Sequence, residues 1–411
     1  MSHWRILICL PVLFYLSCSP LLAGTTARVS VGGAGEEANS GSEWPTPAIS
    51  ADGRFVAFNS GASNLVPGDT NGREDVFVRD RVTGTTERVS VGSAGEEGNS
   101  GSEWSAISAD GRYVAFASRA SNLVPGDTNG TNDVFVRDRL TGTTERVSVS
   151  STGEEGNGHS GFPAISADGR YVAFDSWTSN FVPGDTNGSR DIFVRDRVTD
   201  TTERVSVSST GAEGNDYSNF AAISADGRYV AFASRASNLV PGDTNGTNDV
   251  FARDRVADTT ERVSVRSSGE QENGWSVGPT ISADGRYVAF YSEASFLVPG
   301  DTIGTNDVLV RDRVNGTTER VSVSSTGEEG NGDSESPAIS ADGRYVAFES
   351  WASNLVPGDT NGVWDIFVWD RITGTTERMS VSSTGAEGND YSNFAAISAD
   401  GRYVEIGRAH V

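Results

Sequence analysis

Apolar residues fall along this chain in short runs, each closed by a polar stretch rich in Gly, Asp, Asn, Ser and Thr. No segment sustains the 3.6-residue spacing of an amphipathic helix, and the runs are rich in Val, Ile, Phe and Tyr, so strands are predicted throughout. One stretch shows the plan. Ser105–Ser108 reads as a short strand, and Ala109-Asp110-Gly111-Arg112 as a turn in which Gly tolerates positive φ. Arg112–Phe116 reads as a second strand and Ser121–Asn132 as a long polar loop. Asp133–Arg137 reads as a third strand, Thr141-Gly142 as a turn and Thr144–Val149 as a fourth strand.

The same plan returns at a fixed interval. The phrase Ile-Ser-Ala-Asp-Gly-Arg carries Asp52, Asp110, Asp168, Asp226, Asp284, Asp342 and Asp400, each 58 residues from the next. Self-similarity at one period marks stacked or radially arranged units. Four short antiparallel strands per unit is the blade of an all-β propeller. The chain holds six full 58-residue repeats and a truncated seventh. Arg28-Val29-Ser30-Val31 matches Arg146-Val147-Ser148-Val149, so the chain opens on an outer strand with no blade of its own. Paired with a seventh blade it would close the ring and remove exposed sheet edges, which makes a seven-bladed native form the expectation. The repeat ends at Tyr403-Val404, where Ala-Phe should follow. Residues 405–411 break the pattern and back-translate to a synthetic sequencing-library adapter, so they read as a non-native tail. Ser380–Val404 also repeats Ser206–Val230 letter for letter, three units apart, as a block duplication or a misassembled repeat would produce.

The phrase Ile-Ser-Ala-Asp-Gly-Arg-Tyr-Val-Ala-Phe resembles the TolB-type, WD-like propeller repeat, with its Ser-x-Asp-Gly-Arg phrase and a following apolar-Ala-Phe. The resemblance covers residues 28–404. It implies the propeller fold and allows a protein partner, but a fold hosts many functions. No counterpart of TolB's separate N-terminal domain is expected, since the repeats follow directly on the segment read as a leader.

Composition narrows the class further. The formal net charge is −24, and all 32 positive charges are Arg. An acidic excess of this size argues against nucleic acid as a partner. Arg5, the apolar run Ile6–Leu16 and the small residues up to Ala23 read as a signal peptide over residues 1–23. The run is short and holds Pro11, which disfavours a retained membrane span. Secretion, or retention in the periplasm or at the cell surface, is therefore expected; a lipid anchor on Cys18 is the lesser alternative. Both cysteines, Cys9 and Cys18, lie in the leader, so the mature chain has no disulfide.

The loop between strands two and three holds the strongest candidate chemistry, Pro-Gly-Asp-Thr-Asn-Gly-x-x-Asp. Its oxygen donors are Asp69, Asn71 and Asp75; Asp127, Asn129 and Asp133; Asp185, Asn187 and Asp191; Asp243, Asn245 and Asp249; and Asp359, Asn361 and Asp365. Carboxylates and amides alternating through a Gly-containing turn resemble the front half of a calcium loop. The match lacks an acidic fifth position and a following bidentate Glu, and the fifth unit replaces the Asn by Ile303. Asp and Asn also cap turns by accepting from nearby backbone N–H groups, so a purely structural role stands beside Ca²⁺. Glu-rich loops such as Gly95–Asn99 and Gly153–Asn157 are expected on the same face of the disc, making it acidic and the opposite face richer in Arg. Aromatics near the acidic face differ between units: Trp44, Trp104, Phe162, Tyr217, Trp275 and Trp351. They suit blade packing, or a glycan or peptide at the propeller mouth.

Catalytic signatures are absent. Outside the leader and the tail the only histidine is His159, and no nucleophile elbow, phosphate loop or dinucleotide fingerprint occurs. The reading is an exported, non-catalytic binding or scaffold propeller, with Ca²⁺ as a candidate cofactor and a protein or glycan as partner. The alternative is the propeller portion of an extracellular hydrolase, peptidase or glycan-active enzyme whose catalytic part lies elsewhere.

Overall fold

The structure, a computed structural model, describes residues 25–42, 47–271, 273–301 and 304–408. The expected leader, both cysteines, Trp44, Ile303 and residues 409–411 lie outside them. Six four-stranded antiparallel sheets and a seventh sheet of two strands make up the described residues, with no helix among them. Blade two, for example, runs Ser102–Ile107, Tyr113–Ser118, Asp133–Asp138 and Thr143–Arg146 in simple meander order.

Two strand boundaries differ from the sequence expectation, each for a local reason. The inner strand starts at Ser102 rather than Ser105 because it carries a bulge. Glu103 faces Ala117 while Ala106 faces Ala115, so one extra residue is inserted, and Trp104 takes up the strain at φ 53°. The outer strand ends at Arg146, and Val147–Val149 peel away into a hairpin closed by a bridge from Val149 to Glu155.

The middle strands are apolar on both faces because blades pack face to face. Val114, Ala115, Phe116, Val134 and Phe135 are all 0% exposed. The core is thus a series of layers between blades. Val76, Val78 and Val89 of blade one, for instance, meet Val114, Phe116, Leu123 and Phe135 of blade two.

Near the axis, the Asp-Gly-Arg turns tie blade to blade. Ala51 N–H donates to Ala109 O at 3.0 Å, and the same bond steps through Ala167, Ala225, Ala283 and Ala341 to Ala399. Ala399 N–H then donates to Ala51 O at 3.2 Å, so the bonds run round a closed ring of seven sectors. Each turn glycine also makes room for an aromatic ring of the preceding blade. A Cβ on Gly111, at φ +73°, would lie 2.2 Å from the Phe55 ring.

The seventh sector is Asn393–Ile397 paired with Val404–Arg408. The N-terminal segment stands where the outer strand of that sector belongs. Thr26 Oγ1 donates to Val381 O at 2.6 Å, and its N–H to Ser383 Oγ at 2.9 Å. Thr144 makes the same two bonds, to Val91 O and Ser93 Oγ, one blade after another. Glu405 occupies the place that Ala347 holds in blade six. Burial pushes its carboxyl up to about 8, with Arg81 opposing.

Candidate functional site: carboxylate clusters and the axial rim

The Asp-Asn loops and the Glu-rich loops do converge on one face. Asp69 comes from the loop, Asp75 opens strand three, and Glu97 comes from the hairpin after strand four; their oxygens lie within 4.8 Å of one another. The same triads form at Asp127, Asp133 and Glu155; at Asp185, Asp191 and Glu213; at Asp301, Asp307 and Glu329; and at Asp359, Asp365 and Glu387. Sequence reasoning did not join the Glu to the loop and passed over the fifth unit. The signal available was the constant interval from each loop Asp to its Glu.

A cation already sits in each cluster, and it belongs to the chain. Arg88, closing the Thr-Thr-Glu-Arg strand, places Nη1 3.5 Å from Asp69, 3.2 Å from Asp75 and 2.5 Å from Glu97. Arg146 sits the same way, 3.7 Å from Asp127, 3.4 Å from Asp133 and 2.5 Å from Glu155. In blade four Gln271 replaces the Glu, and its Nε2 donates to Asp243 at 3.0 Å and Asp249 at 3.2 Å beside Arg262.

The asparagines face the clusters with their nitrogens. Asn71 Nδ2 donates to Asp75 at 3.1 Å, while Asn71 Oδ1 accepts from the Arg73 N–H at 2.7 Å. Asn129 repeats this with Asp133 and Thr131, Asn187 with Asp191 and Ser189, Asn245 with Asp249 and Thr247, and Asn361 with Asp365 and Val363. As arranged, the amide oxygens cap turns and only the carboxylates are free to serve as hard oxygen donors.

Three carboxylates to one guanidinium leave each full cluster with an excess of negative charge. Burial, then the Asp133 charge, pushes the Asp127 carboxyl up to about 6 against the pull of Arg146. Asp185 and Asp359 reach about 6 for the same reasons. Glu97 goes the other way: against the cost of burial, the Thr70 N–H and hydroxyl and Arg88 hold it down to about 2.

A second locus lies at the axis on this same face. Inner strands of successive blades contact one another there. The bulge residues, Trp104, Phe162, Phe220, Gly278, Ser336 and Phe394, all have positive φ and are not held to one residue type. Trp104 stacks on Phe162 at 4.2 Å, and Phe162 meets Phe220 edge-on at 5.4 Å. Trp275 packs edge-on against Tyr291 at 5.6 Å. Other repeat-breaking residues surround them. The position after the core Phe of strand two is Asn59, Ala117, Asp175, Ala233, Tyr291 or Glu349. Glu349 accepts from the Phe394 N–H at 2.8 Å and the Ser336 hydroxyl at 2.9 Å. Asp175, fully buried, is pushed up to about 7 by burial against Arg190, whose Nη1 is 3.5 Å away.

No family model and no curated protein matches this chain. Among solved structures it is similar to oligogalacturonate lyase from Vibrio parahaemolyticus, with 12% identity and a TM-score of 0.54, covering 89% of this chain and 86% of that one. It is equally similar to the β-propeller domain of the Trilobed protease from Pyrococcus furiosus, with 13% identity, a TM-score of 0.54 and 88% of each chain covered. TolB from Acinetobacter baumannii aligns at 19% identity and a TM-score of 0.41, over 74% of this chain; the chain spans 58% of that protein's length. At these identities the likeness establishes the propeller fold and no activity.

Proposed function

We propose that the chain is an exported, non-catalytic propeller that binds or scaffolds, and that its repeated acidic clusters are internal ion centres of the blades. The observation carrying this is the arginine in every cluster. Carboxylates that recur around the ring are met by a guanidinium from their own blade, so they do structural work and leave binding to the residues that break the repeat. Export rests on the charged and apolar pattern of residues 1–23. Among the described residues no helix is long and apolar enough to cross a membrane.

Calcium is the second reading, favoured by the excess negative charge of the full clusters. Thermal unfolding in EDTA and across a calcium series, with magnesium as control, separates the two. A ligand that binds only the folded state stabilises by RT ln(1 + [L]/Kd), so several sites shift the midpoint by many degrees. The arginine reading expects no calcium-specific shift. A large one, reduced by one cluster's share in Asp127→Ala with Asp133→Ala, overturns it and makes the clusters metal sites.

The enzyme reading draws on the repeat-breaking carboxylates Asp175 and Glu349, since a catalytic pair should be unique in the ring. Each is nonetheless held by a neighbouring group: Asp175 beside Arg190, Glu349 on a backbone N–H and a hydroxyl.

A further inference from the structure

Internal comparison of the blades separates two kinds of residue. Positions that set strand pairing and blade spacing scarcely change. Positions that change most gather at one end of the sheets: the bulged start of strand one, the residue before the last Ser of strand two and the residue just before strand three. All three meet at the axial rim of the acidic face. The exposed aromatics of the described residues belong to this face too, among them Trp177 at 51%, Phe220 at 38% and Trp351 at 55% exposed.

Over blades three and four the rim carries an unmet hydrogen-bonding demand. Asp175 is 0% exposed, yet its Oδ1 has no partner among the described residues. Asn219 Oδ1, His159 Nδ1 and Arg190 Nε are likewise buried and unpartnered. Asp175, Arg190 and His159 form one neighbourhood. Arg190 Nη1 reaches toward Asp175, the Phe220 N–H faces the same carboxylate, and the His159 ring feels the Arg190 charge. Arg190 also lies over the Trp177 ring, 5.5 Å from its centroid, linking the buried carboxylate to the exposed indole.

The demand is mixed. Asp175 requires a donor, and Arg190 Nε requires an acceptor. A metal ion supplies no acceptor, and a fully deprotonated anion supplies no donor. A hydroxyl group supplies both, and its C–H faces pack on aromatic rings. We propose that the axial rim over blades three and four binds a neutral oligosaccharide. Phe220 and Trp177 are the stacking platforms, the partly exposed His159 and Arg190 bond hydroxyls at their outer edges, and Asp175 positions Arg190 from beneath. This deepens the binding-module reading and rests on it.

The test titrates the full chain with tetrasaccharides of β-1,4-linked glucose, xylose and N-acetylglucosamine, with a tetragalacturonate as the charged comparison, by calorimetry and tryptophan fluorescence. Saturable binding of at least one neutral probe is expected. Phe220→Ala and Trp177→Ala should each weaken it about tenfold or more, the size of one lost stacking contact. Val256→Ala, on the opposite face and 74% exposed, should leave it unchanged. No binding of any neutral probe up to about 5 mM, weaker than any specific site here should be, overturns the site. So does binding confined to tetragalacturonate, or binding indifferent to both aromatic substitutions. Turnover of a bound probe, read by mass spectrometry, would instead leave the site standing and sink the non-catalytic reading.

Discussion

Replacing Arg146 by Met keeps the aliphatic stem and removes the guanidinium from the blade-two cluster. Asp133 is 0% and Asp127 3% exposed at the side chain, and Arg146 itself only 9%. Breaking a buried pair by deleting one partner typically costs about 3–5 kcal/mol, because the remaining charge is left uncompensated. Unfolding entropy near 2.1 cal/mol/K per residue, over roughly 400 residues, gives about 0.8 kcal/mol/K, so the midpoint should fall by about 4–6 °C. Scanning calorimetry in EDTA at pH 7.5 measures it.

Two further readings make the argument refutable. With the arginine gone, the three carboxylates of Asp127, Asp133 and Glu155 remain within 4.8 Å and the centre is open. Calcium at about a hundred times its Kd should then restore about 2.7 kcal/mol in Arg146→Met, while doing little to the parent. The deficit should also shrink toward pH 5. Asp127 already titrates near 6 with the arginine present, and a neutral carboxyl no longer needs a counterion. A loss below about 1 kcal/mol, the range of an exposed pair, would refute the buried-counterion account. Equal calcium stabilisation of parent and variant would refute it as well.

Two more outcomes follow from the ring. Gly111→Ala sets a Cβ 2.2 Å from the Phe55 ring at φ +73°, so a loss of about 2–4 kcal/mol in urea unfolding is expected, combining strain and overpacking. Glu405→Ala restores the residue type of the six full blades and should stabilise by about 1–3 kcal/mol at pH 7.5. The Glu405 carboxyl is raised from 4.5 to about 8, so the folded state binds the proton more tightly. Parent stability should therefore fall as pH rises through that window, and the gain from the substitution should grow with it; a gain independent of pH would count against a buried carboxyl.

The propeller was legible in the sequence because its period is uninterrupted and its strands are written in β-formers. Three things were not. The bulge at Trp104 was hidden because strand one reads as ordinary residues, and only pairing with Ala115 and Ala117 shows the extra one. The clusters were half visible: the loop Asp and Asn residues stood out, but the Arg that completes each site closes strand four and the Glu comes from the hairpin after it. Their meeting depends on how the hairpin folds back over the loop. For the asparagines the spacing allows either an oxygen donor to an ion or a turn cap, and it does not choose between them. The turn itself consumes the oxygen, through the N–H two residues on, and so presents the nitrogen.

Repetition also explains where function can enter this molecule. A substitution in the Ser-Ala-Asp-Gly-Arg turn is felt by the adjoining blade through a hydrogen bond and a ring packed on the glycine. A substitution among the Val and Phe of the middle strands is felt across a close-packed layer. Those positions tolerate little change, and the blades keep them. The bulged start of strand one, the residue before the last Ser of strand two and the residue just before strand three bear on neither contact. There one blade can carry Trp104, the next His159 and Asp175, and another Tyr291 without disturbing the ring. Asymmetry is what recognition of a single ligand requires of a near-symmetric scaffold, and the axial rim is a place where the packing permits it.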